Sequence, residues 1–266
     1  MDEVRRAAVL GSPIAHSLSP ALHRAAYASL GLVWTYDAID VTVDGLPAFM
    51  HELDGSWAGV SLTMPLKEAV IPLLDEVDDL ATVVTAVNTV LPAGSGWRGT
   101  NTDVYGMTEA LRSAGLPEGA DSATILGAGA TARSAMAALR DLGVRRVTVC
   151  ARRAEAAEGV ADVGSRFGMA CATASLTPDE TLVHADIVVS TLPGDAAAPW
   201  SSVAGTADGA LLDASYHPWP SALAAAWRGS VIASGRDMLL WQAVQQVRLM
   251  TGREPSVEIM RAALPV

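Results

Sequence analysis

One stretch, Ile125-Leu-Gly-Ala-Gly-Ala-Thr-Ala-Arg133, constrains the fold more than any other part of the chain. It follows the strand-like run Ser122-Ala-Thr-Ile-Leu126 and opens a helical pattern, with the spacing Gly127-x-Gly129-x-x-Ala132. A strand that turns into a helix through such a loop is the fingerprint of a dinucleotide-binding βαβ unit. Gly127 permits the tight turn, Gly129 lets the backbone approach a pyrophosphate, and Ala132 allows helix and strand to pack closely. The helix N-terminus adds open N–H groups and a dipole that favours an anion. The competing reading is a plain glycine-rich turn in an α/β domain, and the strand–loop–helix context weighs against it. Gly127, Ala128, Gly129, Ala130, Thr131 and Ala132 are therefore the candidate cofactor-binding residues.

The end of the next predicted strand bears on which dinucleotide is bound. NAD sites usually place Asp or Glu there, to accept from the ribose 2′-hydroxyl. This chain reads Val149-Cys-Ala-Arg152-Arg153 instead. Guanidinium forks suit the oxygens of a 2′-phosphate, so Arg152 and Arg153 point to NADP(H). Glu155 lies nearby, and one of the two arginines could equally be a solvated surface charge.

Short β-rich runs alternate with longer amphipathic stretches along the whole chain, which predicts an α/β protein with largely parallel sheets. In the first part strands are expected near 7–10, 35–41, 57–62 and 86–91. Helices are expected near 20–30, 45–53, 66–74 and 103–113, the last ending at Gly115 and Pro117. After the Gly-, Asp- and Pro-bearing segment 115–121 a second series begins, with strands near 122–126, 146–150, 186–190, 210–214 and 231–233. A helix near 238–251 follows.

Composition narrows the function. Half of the 266 residues are hydrophobic, so disorder is excluded and a sizeable core is possible. No apolar run approaches the roughly 20 residues that a membrane span needs. The N-terminal residues lack the pattern of a secretory leader, so a cytoplasmic location is expected. A formal net charge of −11 argues against nucleic-acid binding. Cys150 and Cys171 have neither metal spacing nor partners for a disulfide framework, and are read as buried reduced thiols. No His/Cys/Asp cluster has metal-ligand spacing, so no metal is expected.

Two rare residue types carry more information. Lys67 is the only lysine among 18 basic residues, the rest being arginine. Arginine does not give up its proton in a protein, whereas lysine can at a suitable site, so the one lysine suggests proton transfer. A chance surface lysine is the alternative. The only asparagines, Asn88 and Asn101, both precede threonine.

Four polar clusters sit at predicted strand ends or loops, where α/β proteins build their sites. They are Gly11-Ser-Pro-Ile-Ala-His-Ser17-Leu-Ser19-Pro20, Ser61-Leu-Thr63-Met-Pro65-Leu-Lys67, Ala86-Val-Asn88-Thr89 and Gly99-Thr-Asn101-Thr-Asp103-Val-Tyr-Gly106. Together with the glycine-rich loop, Tyr216 and Met238-Leu-Leu-Trp-Gln242, these segments resemble, in order and spacing, the shikimate dehydrogenase family over nearly the whole chain.

The resemblance implies two domains. An N-terminal α/β substrate domain would comprise 1–103 and 237–266, and a Rossmann-type doubly wound parallel sheet would comprise 104–236. The C-terminal helix would return to the substrate domain. It implies reversible reduction of 3-dehydroshikimate to shikimate with NADPH, in chorismate and aromatic amino-acid biosynthesis. By the same resemblance Ser17 and Ser19 bind the carboxylate, and Thr63, Asn88 and Asp103 bond the ring hydroxyls. Lys67 shuttles the proton and Asp103 holds it in place, so Lys67 and Asp103 are the catalytic pair. Tyr216 and Gln242 complete the substrate contacts; Thr191 and Gly235 join the cofactor set.

Simpler roles stand beside these: helix capping for Ser17, Ser19 and Asp103, and an ordinary polar helix position for Gln242, since Gln245 and Gln246 follow it. The threonine of the family's Asn-Val-Thr is kept in Ser61-Leu62-Thr63, while Ala151-Arg152-Arg153 replaces its Asn-Arg-Thr. The alternatives are a quinate/shikimate dehydrogenase using NAD, a non-catalytic NADPH-binding sensor, and a two-domain dehydrogenase of similar layout acting on a folate-like substrate. A homodimer is left open.

Overall fold

The computed structural model describes residues 4–265. The chain divides into two compact units. One runs to Thr102 and resumes at Gln242; the other is Asp103–Trp241.

The first unit contains β1 (Arg6–Gly11), β2 (Thr35–Asp40), β3 (Trp57–Leu62), β4 (Glu76–Val77), β5 (Thr89–Ala93) and β6 (Gly96–Thr100), in the order β2-β1-β3-β5-β6-β4. β3 lies inside the sheet and every one of its residues is buried, as expected of a strand covered on both faces. β1 runs parallel to both β2 and β3. β4 also runs parallel to β6, while β5 is antiparallel to β3 and to β6, so the sheet is largely parallel, as expected, with one antiparallel strand set into it. The reason is local. Ala93 pairs with Gly96, so Gly94-Ser95 forms a two-residue turn that reverses the chain. Gly-Ser after an apolar run is a hairpin signal, and β6 and the two-residue β4 are the strands of this sheet that the periodicity left out.

Two further differences are small. The expected strand 86–91 begins only at Thr89, and ahead of it the Val87 amide bonds the Lys67 carbonyl of a neighbouring loop. The expected helix 66–74 breaks at Val70, ahead of Pro72, into a short α-turn, Leu66–Ala69, and a 3₁₀ turn, Ile71–Leu73. The helix Ser19–Ser29 packs against Val257–Ala262, a terminal helix that the pattern did not reveal. Leu10, Trp57, Val60, Leu62, Leu66 and Val90 form the centre of this unit's core.

The second unit holds β7 (Ser122–Leu126), β8 (Arg146–Ala151), β9 (Ala170–Ser175), β10 (Ile187–Ser190), β11 (Ala210–Asp213) and β12 (Ile232–Ser234), in the order β12-β11-β10-β7-β8-β9. All pairings are parallel. This is the doubly wound order, and its direction reverses between β7 and β10, the place where such sheets bind ligands at their carboxyl ends. β10 and β11 are buried throughout, whereas the edge strand β9 is largely exposed. β9, built of small residues, has no apolar periodicity for that reason. The helix expected from residue 238 begins earlier and spans Gly235–Thr251.

Candidate active site

In the first unit, polar residues collect where β1 and β3 end side by side. The Thr63 amide donates to the Leu10 carbonyl (2.9 Å), and the Ser12 amide donates to the Met64 carbonyl (3.2 Å). These bonds tie the loop after β1 to the loop after β3. Thr63 and Lys67 are half-buried. The Thr63 carbonyl accepts from the Leu66 amide (2.8 Å) and so starts the short helix that carries Lys67. The Lys67 carbonyl in turn accepts from the Val87 amide (2.8 Å), fixing its backbone to the segment that bears Asn88. Asn88 is 2% exposed. Its Oδ1 accepts from the Thr89 hydroxyl (2.8 Å), the Thr102 amide (2.8 Å) and the Thr102 hydroxyl (3.1 Å). Any bond that Asn88 offers a ligand is then donated by Nδ2. Asn101 serves the frame, donating from Nδ2 to the Ala86 carbonyl (2.8 Å).

Ser17 is half-buried in the loop after β1, and its Oγ accepts from the Ser19 amide (3.3 Å). Ser19 is the first residue of its helix; the N-cap position itself is Leu18 and makes no side-chain cap bond. The local capping role therefore falls to Ser17. The Ser19 carbonyl accepts from Nδ1 of His23, whose ring stacks on Tyr36 with centroids 3.8 Å apart. Burial lowers the His23 pKa to about 4, so the ring is neutral near pH 7.

Gln242 is buried on the returning helix. One turn further on, Gln246 is buried as well and bonds Ser61 and Thr89. Residues i and i+4 share a helix face, so Gln242 and Gln246 lie on the same side of the helix, and both are buried there. The signal in the sequence was the spacing itself.

In the second unit the glycine loop continues β7. Gly127 has φ +111° and its amide donates to the Cys150 carbonyl (2.9 Å). A side chain there would be strained and would run into the Thr191 side chain. Thr191 follows β10, and both its amide (2.9 Å) and its hydroxyl (3.0 Å) donate to the Leu126 carbonyl. Gly127 and Thr191 are thus locked together at the switch point. The helix Ala130–Asp141 starts directly after the exposed Gly129, and Ala132 is wholly buried, as close helix–sheet packing requires. Arg152 and Arg153 are exposed immediately beyond β8, whose Cys150 pairs with Leu126 at the end of β7. Backbone donors, a helix start and two guanidinium groups at neighbouring strand ends fit a phosphorylated dinucleotide.

Asp103 is 3% exposed and is the first residue of the helix Asp103–Ser113. It belongs to the second unit, one peptide bond from Thr102 of the first. Tyr216 is half-buried in the loop after β11. That loop is organised by Asp213, a buried carboxylate that no motif in the sequence marks. It accepts from the Ser215 amide (3.1 Å) and the Ser221 hydroxyl. Burial pushes its pKa above the ordinary carboxylate range, against the pull of those bonds. Gly235 has its backbone against the Ala214 carbonyl, with no room for a side chain. Of the two thiols Cys150 is buried and pushed up to about 12 by burial, while Cys171 is only half-buried, less than expected.

Residues 9–90 match the description of the shikimate dehydrogenase substrate binding domain, and residues 235–264 match that of the shikimate 5′-dehydrogenase C-terminal domain. The chain is 38% identical over 264 residues to the shikimate dehydrogenase (NADP(+)) of Thermus thermophilus, covering 97% of each. The chain belongs to the shikimate dehydrogenase family.

Solved shikimate dehydrogenases agree in fold. That of Mycobacterium fortuitum superposes with a TM-score of 0.89 at 41% identity, covering 100% of this chain and 99% of its own. A Thermus thermophilus enzyme, solved in complex with NADP(H) and shikimate, gives 0.85 at 35%, with 97% and 98% covered. The quinate dehydrogenase of Corynebacterium glutamicum, in complex with NAD, gives 0.85 at 30%, with 98% of each covered. The stretch matched to the substrate binding domain contains Ser17, Ser19, Thr63, Lys67 and Asn88, and the C-terminal match contains Gly235 and Gln242. The glycine loop lies outside both stretches, and its reading rests on topology.

Proposed function

We propose that this chain is an NADP-dependent shikimate dehydrogenase, reversibly reducing 3-dehydroshikimate to shikimate. The observation that carries the reading is the gathering of Thr63, the sole lysine Lys67 and Asn88 on strand ends tied by backbone bonds, inside the stretch that matches the family's substrate binding domain. The first unit is the substrate domain in this reading, and the doubly wound unit is the NADP domain.

The bound dinucleotide supplies the hydride. Gly127, Ala128, Gly129, Ala130, Thr131 and Ala132 would hold its pyrophosphate on backbone donors. Arg152 and Arg153 would take the 2′-phosphate, and Thr191 and Gly235 would border the nicotinamide side. Ser17 and Ser19 would present hydroxyls to the substrate carboxylate. Thr63, Asn88, Tyr216 and Gln242 would orient the ring, Asn88 by donation from Nδ2. Lys67 would move the proton at the reacting oxygen, delivering it in reduction and receiving it in oxidation. Asp103 would accept from a ring hydroxyl and hold the lysine. General acid–base help of this kind is worth about 10²–10⁴ in rate.

Among the described residues no helix is long and apolar enough to cross a membrane, and no group of three or more metal-ligating side chains occurs. A cytoplasmic location belongs to the same reading.

The quinate dehydrogenase likeness makes a second reading concrete, and the arginine pair argues against its NAD. Initial rates at roughly 340 nm, where NADPH absorbs, crossing shikimate and quinate with NADP and NAD, test both. Turnover confined to shikimate with NADP is expected; preference for quinate or NAD replaces the reading, and no turnover in any combination leaves a nucleotide-binding sensor.

A further inference from the structure

Five buried side chains of the first unit form a single hydrogen-bonded line that ends on Asn88. Tyr36 Oη donates to Ser61 Oγ (2.7 Å), Ser61 Oγ to Gln246 Oε1 (2.9 Å), Gln246 Nε2 to Thr89 Oγ1 (3.0 Å), and Thr89 Oγ1 to Asn88 Oδ1 (2.8 Å). None of the five is more than 3% exposed.

The direction of every donor follows from one end. The Thr102 backbone amide can only donate, and it donates to Asn88 Oδ1. That atom is therefore the amide oxygen, and the Thr89 hydroxyl must direct its single proton to it. Thr89 Oγ1 is left as an acceptor, which requires the nitrogen of Gln246 opposite it. The glutamine oxygen then faces Ser61, which must donate there and accept from Tyr36. The 3.5 Å approach of Gln246 Nε2 to the Asn88 carbonyl has the same sense.

We propose that Gln246 is a positioning residue for substrate recognition. Through Thr89 it locks the Asn88 side chain so that Nδ2, and never Oδ1, is offered to the ring. The inference rests on the reading of Asn88 as a substrate contact. An amide can present a donor or an acceptor after a half-turn of its last torsion, so a site that must donate needs its oxygen held elsewhere. Thr102 supplies part of that hold from the chain segment leading to Asp103. Gln246 supplies the rest from the returning helix. Selectivity for a hydroxyl of the right position would thus be set partly by a residue that touches no substrate.

Kinetics on the full chain decide it. Thr89→Val removes the hydroxyl at nearly constant shape, Thr89→Ser keeps it, Gln246→Met removes the amide, and Asn88→Ala removes the contact itself. Thr89→Val and Gln246→Met should each raise the KM for shikimate about tenfold, the worth of roughly one hydrogen bond. The KM for NADP should stay unchanged and kcat should hold within about twofold. Thr89→Ser should restore the wild-type KM, and the double variant should be no worse than the weaker single one, because both cut the same line. A Gln246→Met protein that does not fold leaves the Thr89 pair to decide alone. A raised KM in Asn88→Ala with a normal KM in Thr89→Val overturns the relay and leaves the site standing. An unchanged KM in Asn88→Ala overturns both. Equal losses in Thr89→Ser and Thr89→Val, or a matching rise in the KM for NADP, also overturn it by pointing to general structural damage.

Discussion

The two units prepare for their ligands by opposite means. At the ends of β7 and β10 the protein clears side chains away: Gly127 bends through φ +111°, Gly129 is bare, and the helix begins at once. At the ends of β1 and β3 it does the reverse, packing Ser61, Asn88, Thr89, Thr102 and Gln246 into a buried, mutually bonded group. A pyrophosphate is a diffuse anion that backbone N–H groups can meet, so small residues suffice. A ring with several hydroxyls has to be distinguished group by group, and a buried donor without its partner costs about 1–3 kcal/mol, so each side chain must be held.

The contrast is open to attack at its strongest point first. Lys67→Ala should lower kcat by about 10²–10⁴ with the fold retained, as measured by steady-state rates beside a thermal melt. A variant with near-normal turnover removes proton transfer from this lysine.

The next effect in size concerns His23, which belongs to the side-chain-built unit. Its pKa is lowered from 6.5 to about 4 by burial, so the unfolded chain binds more protons than the folded one between those values. Stability should therefore fall as pH drops from 6.5 towards 4, by up to about 3 kcal/mol, and level off below. Asp213 in the other unit works in the opposite sense. Its raised pKa makes the folded state the better proton acceptor, so acidification adds stability there. Urea unfolding at pH 7 and 4.5 of the wild type and of His23→Phe, which keeps a ring against Tyr36, isolates the histidine. An equally steep acid loss in the variant would refute its role.

Smaller again is the cost of filling the cleared loop. Gly127→Ala should destabilise by about 1–3 kcal/mol through its positive φ and its meeting with Thr191, and should raise the KM for NADP. Smallest is the paired change Arg152→Gln and Arg153→Gln. It should raise the KM for NADP about tenfold and leave that for NAD nearly alone. Equal effects on both cofactors would detach the arginines from the phosphate.

The same contrast explains what could be read from the sequence. The cleared loop is legible because its rule is local: a few small residues at fixed spacing between a strand and a helix. Lys67 is legible because it is unique in its type, and the four polar clusters because they follow strand ends. The relay is not legible, since Tyr36, Ser61, Thr89 and Gln246 come from four separate segments and become neighbours only through the sheet register. Asp213 is hidden for a similar reason: its meaning depends on Ser221, beyond a loop. β6 and β9 are missed because a short hairpin and an exposed edge strand have little apolar periodicity to show.

The first unit is interrupted in the chain, and this has a consequence for how the protein is made. Synthesis delivers residues up to Thr102, then all of Asp103–Trp241, and only afterwards the segment from Gln242 onward. While the second unit can complete its parallel sheet as soon as it emerges, Ser61 and Thr89 wait for Gln246 until the whole of that unit has been made. A nascent chain that has emerged as far as Trp241, with Gln242 onward still to come, would therefore carry a complete second unit and an incomplete first one.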